Sequence, residues 1–217
     1  MYDFSAARDH MVESQIRPSD VTDYAVVKAF RSVKREIFVP KSQKALAYAD
    51  VNIETEDGRS ILKPRDISKM VQAVDPKSSD IALDIACGRG YSSAILAMLC
   101  ETVVSLEDSE ERVERATANL MAAGADNAVV VKGDLTAGAK EHGPFNIIFV
   151  NGAVCEVHQS WLEQLSDGGR LIAIVNKGRL GHAVLHTKNG NVIGDRIVFD
   201  ANAPTLPQAQ KSSEFVF

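Results

Sequence analysis

The sequence predicts an α/β chain: a mostly parallel, twisted sheet with helices on both faces, an N-terminal helical extension and an antiparallel C-terminal edge. Three observations carry this. Residues 81–96 read IALDIACGRGYSSAIL, an apolar run that ends in a carboxylate, then a glycine-bearing turn, then helix formers. Short β-branched or apolar runs then recur, each ending in polar or small residues: 102–108 in Glu107-Asp108, 128–132 in Gly133-Asp134-Leu135, and 145–150 in Asn151-Gly152-Ala153. Helix-forming stretches separate them, and that alternation calls for parallel strands joined by right-handed crossovers.

The elements follow in order. Residues 5–15 and 21–32 show helical spacing, the second with Val21, Tyr24, Ala25, Val27 and Phe30 on or near one face and Asp20 placed as its N-cap. After Val39-Pro40 the chain is irregular through Tyr48-Ala49-Asp50 and 54–58, and a helix resumes over 64–74 with Pro64 in its first turn. Asp84 closes the next strand, and residues 92–99 form the helix after the turn. Trp161, Leu162 and Leu165 read as a helix packed on the sheet, and 170–175 as a strand after the turn Asp167-Gly168-Gly169. Residues 183–186, 192–199 and 213–217 read as a hairpin and an edge strand. A single domain over 1–217 is expected, with helices and a loop in 1–78, a ligand-binding core in 79–176 and a β-rich segment in 177–217.

Composition narrows the function. With 217 residues, 45% of them hydrophobic, the chain can bury a substantial core. The net charge of −5 has no basic stripe to offset it, which argues against nucleic acid as a partner. Lys28, Arg31, Lys34, Arg35, Lys41 and Lys44 read as a solvated helix face and the loop after it. No apolar run reaches the roughly 18 residues of a membrane span, and residues 1–15 lack the order of a signal peptide, so a cytoplasmic protein is expected. Cys87, Cys100 and Cys155 are odd in number and not spaced for a metal, which suits thiols in a reducing compartment. His142, His158, His182 and His186 have neither metal spacing nor an evident nucleophile partner, and His10 reads as lying on an exposed helix face.

Chemistry concentrates at the glycine turn. Gly88 and Gly90 let the backbone bend sharply and approach a ligand closely. The spacing departs from the dinucleotide fingerprint, because Ala86, Gly88 and Gly90 give A-x-G-x-G and Tyr91 follows. It resembles instead the D/E-x-G-x-G-x-G motif of S-adenosylmethionine-dependent methyltransferases, whose cofactor has no phosphate to cradle. Glu107, 19 residues beyond Gly88, is placed at the end of the neighbouring strand, where a carboxylate can accept both ribose hydroxyls. Asp134 is placed to accept from an adenine amino group. The candidate cofactor residues are Asp84, Ala86, Cys87, Gly88, Gly90, Tyr91, Glu107, Asp108, Gly133, Asp134, Leu135 and Asn151.

Longer strings carry a closer resemblance. MVESQIRPSDVTDYAVVKAFRSVKREIFVP at 11–40 and AYAD at 47–50 are similar to the opening of the protein-L-isoaspartate O-methyltransferases. VKGDLTAG at 131–138, FNIIFVNGA at 145–153 and LEQLSDGGRLIAIV at 162–175 extend the likeness over roughly 11–175. The resemblance implies a Rossmann-like methyltransferase fold and methyl transfer from S-adenosyl-L-methionine to the side-chain carboxylate of an isoaspartyl residue in a damaged protein or peptide. S-adenosyl-L-homocysteine would be the product, and a monomer is expected.

Three positions depart from the family pattern. Its substrate loop, G-x-T-I-S-x-P, here reads Gly58-Arg59-Ser60-Ile61-Leu62-Lys63-Pro64, so the position of the serine given a catalytic role holds Leu62. Leucine cannot hydrogen-bond a carboxylate. Ser60, two residues earlier, shares its face in an extended loop and becomes the candidate catalytic residue, while Arg59 and Lys63 flank it and could hold an anionic group. Asn151-Gly152-Ala153 replaces Thr-Ala-Ala, removing a hydroxyl and loosening the backbone, and Ala86 adds a methyl group at the first motif glycine. Besides isoaspartyl methylation, the departures leave open a member with another acceptor, such as a small molecule, and a cofactor-binding protein without isoaspartyl activity.

Overall fold

The computed structural model describes residues 3–55, 58–178 and 180–207. The chain opens with helix α1 (Phe4–Met11), capped by Asp3, whose Oδ1 accepts from the Ser5 and Ala6 amides at 3.0 Å. The expected single helix over 5–15 is corrected: the α-helix ends at Met11, and Val12–Ile16 continues as a wider π-helical turn. Met11, Val12 and Ile16 all bury completely along it.

Helix α2 spans Tyr24–Ser32, and its N-cap is Asp23, not Asp20. Asp23 Oδ1 accepts from the Val26 amide at 2.9 Å, while Asp20 sits in the left-handed region at φ 65° and ends the preceding turn. Both are acids just ahead of an apolar stretch. Only the one with extended backbone immediately before the first turn can reach back to it.

Two short strands, β1 (Ile53–Glu54) and β2 (Ser60–Ile61), pair antiparallel, and α3 (Pro64–Ala73) follows with proline in its first turn. Next come β3 (Ile81–Ile85), α4 (Tyr91–Ala97), β4 (Thr102–Glu107), α5 (Glu110–Ala123), β5 (Ala128–Lys132), β6 (Phe145–Val154), α6 (Gln159–Glu163) and β7 (Leu165–Lys177). Leu165 therefore begins a strand and is not part of the helix with Trp161. The hairpin β8 (Leu180–Asn189) and β9 (Val192–Asp200) completes the sheet. The strand expected at 213–217 lies outside the described residues.

The seven-stranded sheet has the order β5-β4-β3-β6-β7-β8-β9. Pairing is parallel from β5 to β7 and antiparallel through β8 and β9. The strands alternate between two cores: Ile147 and Phe149 of β6 face a cluster built on α1 to α4, and Ile148 and Val150 face one built on Trp161 and Leu165. A strand buried on both faces reads as a near-continuous apolar run, which is why residues 147–150 show no polar alternation.

Strand order reverses at β3, which has β4 on one side and β6 on the other. In open sheets of this kind a ligand binds outside the carboxyl ends of the strands at that reversal. Two irregularities sharpen the place. β6 advances four residues, from Phe149 to Ala153, while β7 advances two, so Val150 to Gly152 bulge at the strand end. The segment after β9 returns to this bulge, with the Leu206 amide donating to Ala153 O at 2.8 Å.

That return explains Gly152. Its φ is 149°, and a Cβ there would meet the Leu206 side chain at 2.7 Å. The glycine that the sequence suggests as a loosened backbone is a close-approach position. Gly152→Ala is expected to cost about 1–3 kcal/mol of stability by overpacking; a urea midpoint equal to wild type would show that Leu206 does not need the space.

Candidate functional site

At the switch point the turn after β3 is held in left-handed backbone at three residues: Ala86 (φ 59°), Gly88 (φ 62°) and Gly90 (φ 92°). For Ala86 this conformation costs about 1–2 kcal/mol. Its amide donates to Leu106 O at 3.0 Å, and its carbonyl accepts from Asn151 Nδ2 at 3.2 Å. Asn151 thus ties the β6 bulge to the turn. Gly90 packs so closely that a Cβ would lie 3.2 Å from Leu120 Cγ of α5.

Asp84 and Tyr91 lie behind the turn. Asp84 is fully buried, and its Oδ2 accepts from the Ser92 and Ser93 hydroxyls, each at 2.6 Å. Burial pushes its carboxyl up to about 7 against the pull of the two hydroxyls. Tyr91 is 2% exposed and stacks below the Arg35 guanidinium, 4.6 Å from its ring centroid. Cys87 is 1% exposed, and burial raises its thiol far above the usual range.

Arg35 corrects the reading of 28–44 as a wholly solvated basic face. It is completely buried, with Nε donating to Ala47 O at 2.7 Å and Nη2 to Leu62 O at 2.8 Å. A planar guanidinium can satisfy two carbonyls and stack on a ring at once, so it survives burial where a lysine would not. The signal available in sequence was only its neighbourhood, Phe38 and Val39 following closely.

The end of β4 carries the acidic centre. Glu107 is fully buried; its Oε1 accepts from the Gly88 amide at 2.6 Å and its Oε2 from the Asp108 amide at 3.2 Å. The nineteen-residue spacing therefore closes a direct hydrogen bond between the glycine turn and the neighbouring strand. Asp108 pairs with Arg112 of α5. Burial raises the Glu107 carboxyl, and Arg59 and the two amides oppose the rise.

Further along the same edge, the Gly133 amide donates to Glu107 O at 2.9 Å, and Leu135 is buried. Asp134 is exposed and turned into its own loop, where Oδ1 accepts from Thr136 N at 2.9 Å and Thr136 Oγ1 at 2.8 Å; these bonds lower its carboxyl.

The loop of residues 58–64 closes over the turn. Ser60, on β2, is 8% exposed, and Leu62 is fully buried in the cluster built on α1 to α4. Lys63 pairs with Asp66 at 3.5 Å. Arg59, which the sequence offers as a substrate contact, is 4% exposed and reaches across 48 residues to Glu107. A void of about 10 Å³, lined by Thr55, Arg59, Gly88, Arg89, Arg112 and Arg115, remains beside it. Larger cavities, one of 520 Å³ beside Lys140 and Gln164 and one of 310 Å³ beside His182 and His186, touch none of these residues.

The backbone turn and the buried acid beside it suit an adenosyl cofactor with two ribose hydroxyls to satisfy. Two buried atoms near them, Asp84 Oδ1 and Arg59 Nη1, have no hydrogen-bond partner among the described residues. No helix among the described residues is long and apolar enough to cross a membrane.

Comparisons agree with this architecture. The family model for protein-L-isoaspartate(D-aspartate) O-methyltransferase (PCMT) matches residues 6–198. A curated protein-L-isoaspartate O-methyltransferase of Methanoculleus marisnigri is 38% identical over 168 residues, 77% of this chain and 76% of that protein. A solved protein-L-isoaspartate O-methyltransferase superposes with a TM-score of 0.80 at 27% identity, covering 92% of this chain and 65% of the other. A Plasmodium falciparum structure described as a PCMT in complex with S-adenosyl-L-homocysteine superposes at 0.79 with 17% identity, over 98% of this chain and all of that one, and shares the fold.

Proposed function

The chain belongs to the protein-L-isoaspartate(D-aspartate) O-methyltransferase family, and from that premise we propose that it methylates the side-chain carboxylate of isoaspartyl residues in damaged proteins or peptides, using S-adenosyl-L-methionine. The observation that carries the reading is Glu107, buried and bonded to the Gly88 amide at the sheet's reversal point. When bound, the cofactor supplies an electrophilic methyl group on a sulfonium.

The chain's own residues position and desolvate. Glu107 would take the ribose hydroxyls, and Asp108 would reinforce its charge. Ala86, Cys87, Gly88 and Gly90 would pass their backbone beneath the cofactor, with Asp84 and Tyr91 bracing that turn from behind. Gly133, Asp134 and Leu135 would border the adenine, and Asn151 would hold the bulge where the acceptor approaches. A carboxylate and a sulfonium are already reactive, so alignment and exclusion of water account for most of the rate, with no strong base required. Ser60 is the hydroxyl left in the loop to orient the acceptor. We place the enzyme in the cytoplasm as a single-domain monomer that needs no nucleic acid, consistent with its charge and composition.

The test is transfer of a labelled methyl group to an isoaspartyl peptide, beside calorimetry with S-adenosyl-L-homocysteine. Turnover supports the reading. Tight binding without turnover points to another acceptor, for which Leu62 is the motivating residue. Leu62→Ser is expected to raise transfer while costing about 2–5 kcal/mol for the lost buried side chain. No gain from a folded variant would sink the idea that this hydroxyl alone separates the chain from the family pattern.

A further inference from the structure

The acceptor loop ends inside the cofactor cradle. Arg59 Nη2 donates to Glu107 Oε2 and to Asp108 Oδ2, both at 3.1 Å, so one guanidinium nitrogen bridges the two acids at the end of β4. Glu107 Oε2 already has the Asp108 amide, and Oε1 has the Gly88 amide. A carboxylate that receives two vicinal hydroxyls needs open lone pairs on both oxygens. Here Oε2 carries two donors, and the space beside it is about 10 Å³, whereas a ligand of this size occupies a pocket of roughly 300–1,000 Å³. Ribose and Arg59 cannot both hold that oxygen.

Resting on the function above, we propose that Arg59 couples the two half-sites: it occupies the ribose acid when the cofactor is away, is displaced when the ribose binds, and is thereby released to pair with the carboxylate of the acceptor. Its position on the loop makes this direct. Arg59 precedes Ser60 on the hairpin of β1 and β2, so the residue that leaves Glu107 belongs to the segment that receives the acceptor. The buried Nη1, with no hydrogen-bond partner among the described residues, is a second donor on the same fork. Arginine suits the exchange, because carboxylate pairs in its planar fork are interchangeable in geometry. Coupling of this kind is reciprocal: cofactor raises affinity for an anionic acceptor, and acceptor raises affinity for cofactor.

The experiment titrates S-adenosyl-L-homocysteine into the full chain and into Arg59→Gln, with and without an isoaspartyl peptide, by calorimetry. Arg59→Gln is expected to bind S-adenosyl-L-homocysteine about tenfold tighter, because no charge-assisted bond has to be broken first. Peptide should tighten that binding in wild type and leave it unchanged in the variant. Equal or weaker binding by Arg59→Gln, beside a wild type that binds well, overturns the proposal and leaves the proposed function standing. Failure of both folded proteins to bind overturns the two together. Should the glutamine variant not fold, Arg59→Lys keeps one cation without the fork, and two- to threefold tightening is expected; unchanged affinity overturns the proposal.

Discussion

Glu107→Gln is expected to weaken binding of S-adenosyl-L-homocysteine by about 10–100-fold, the loss of hydrogen bonds to a charged acceptor at about 1.5–3 kcal/mol each. The amide keeps the side chain's shape and one oxygen. Its NH2 group, however, must face a donor: the Gly88 amide on one side, or Arg59 and the Asp108 amide on the other. The loss is smaller than two full bonds because Arg59 also loses a partner and leaves the site more readily. The variant should be less stable as well, since Arg59 stays buried with Asp108 as its remaining acid. Calorimetry and a urea midpoint on one preparation check both effects. An unchanged affinity would mean that the ribose is held elsewhere.

Asp84→Asn is expected to stabilise the protein above neutral pH and to flatten the dependence of its stability on pH. The carboxyl is pushed up to about 7 from 3.8 by burial. The folded chain therefore holds a proton between pH 4 and 7 that the unfolded chain has released, and this group's contribution falls as pH rises through that window. Above pH 7 the charged carboxylate sits buried at a cost of up to about 4 kcal/mol, taking 1.36 kcal/mol per unit. Asparagine offers Oδ1 to the Ser92 and Ser93 hydroxyls without that charge. Urea unfolding of both proteins at pH 5 and pH 8 measures the difference: the variant should gain at pH 8 and lose most of that gain at pH 5. Parallel pH profiles would show that Asp84 does not titrate in this range.

Features generated by nearby residues were legible in the sequence. The order strand, carboxylate, glycine turn, helix at 81–96 is a local pattern, and the structure has β3, a turn with three left-handed residues, and α4 there. Pro64 starts α3, and the parallel strands and antiparallel tail sit where alternation and turn residues placed them. Glu107 was found by spacing, because a parallel crossover of ordinary length brings the next strand's end beside the turn. Element ends were less legible. Asp20 and Asp23 both satisfy a cap pattern, and the backbone angle that chooses between them is set by the turn before α2.

By itself, then, the sequence determined the family, the sheet with its helical layers, and the acid and glycines gathered at the sheet's reversal point, since each is written in residues close together or in strings long enough to be distinctive. Tertiary structure alone decided who occupies what. It set Arg59 on Glu107 across 48 residues, buried Arg35 against Leu62 O of the 58–64 loop and over Tyr91, and brought Leu206 back against Gly152. These are pairings between distant segments, fixed by packing the two cores and by the need of buried charges for partners. No periodicity or motif records them, because a charged loop residue has the same local signature whether it faces water or an acid on another strand.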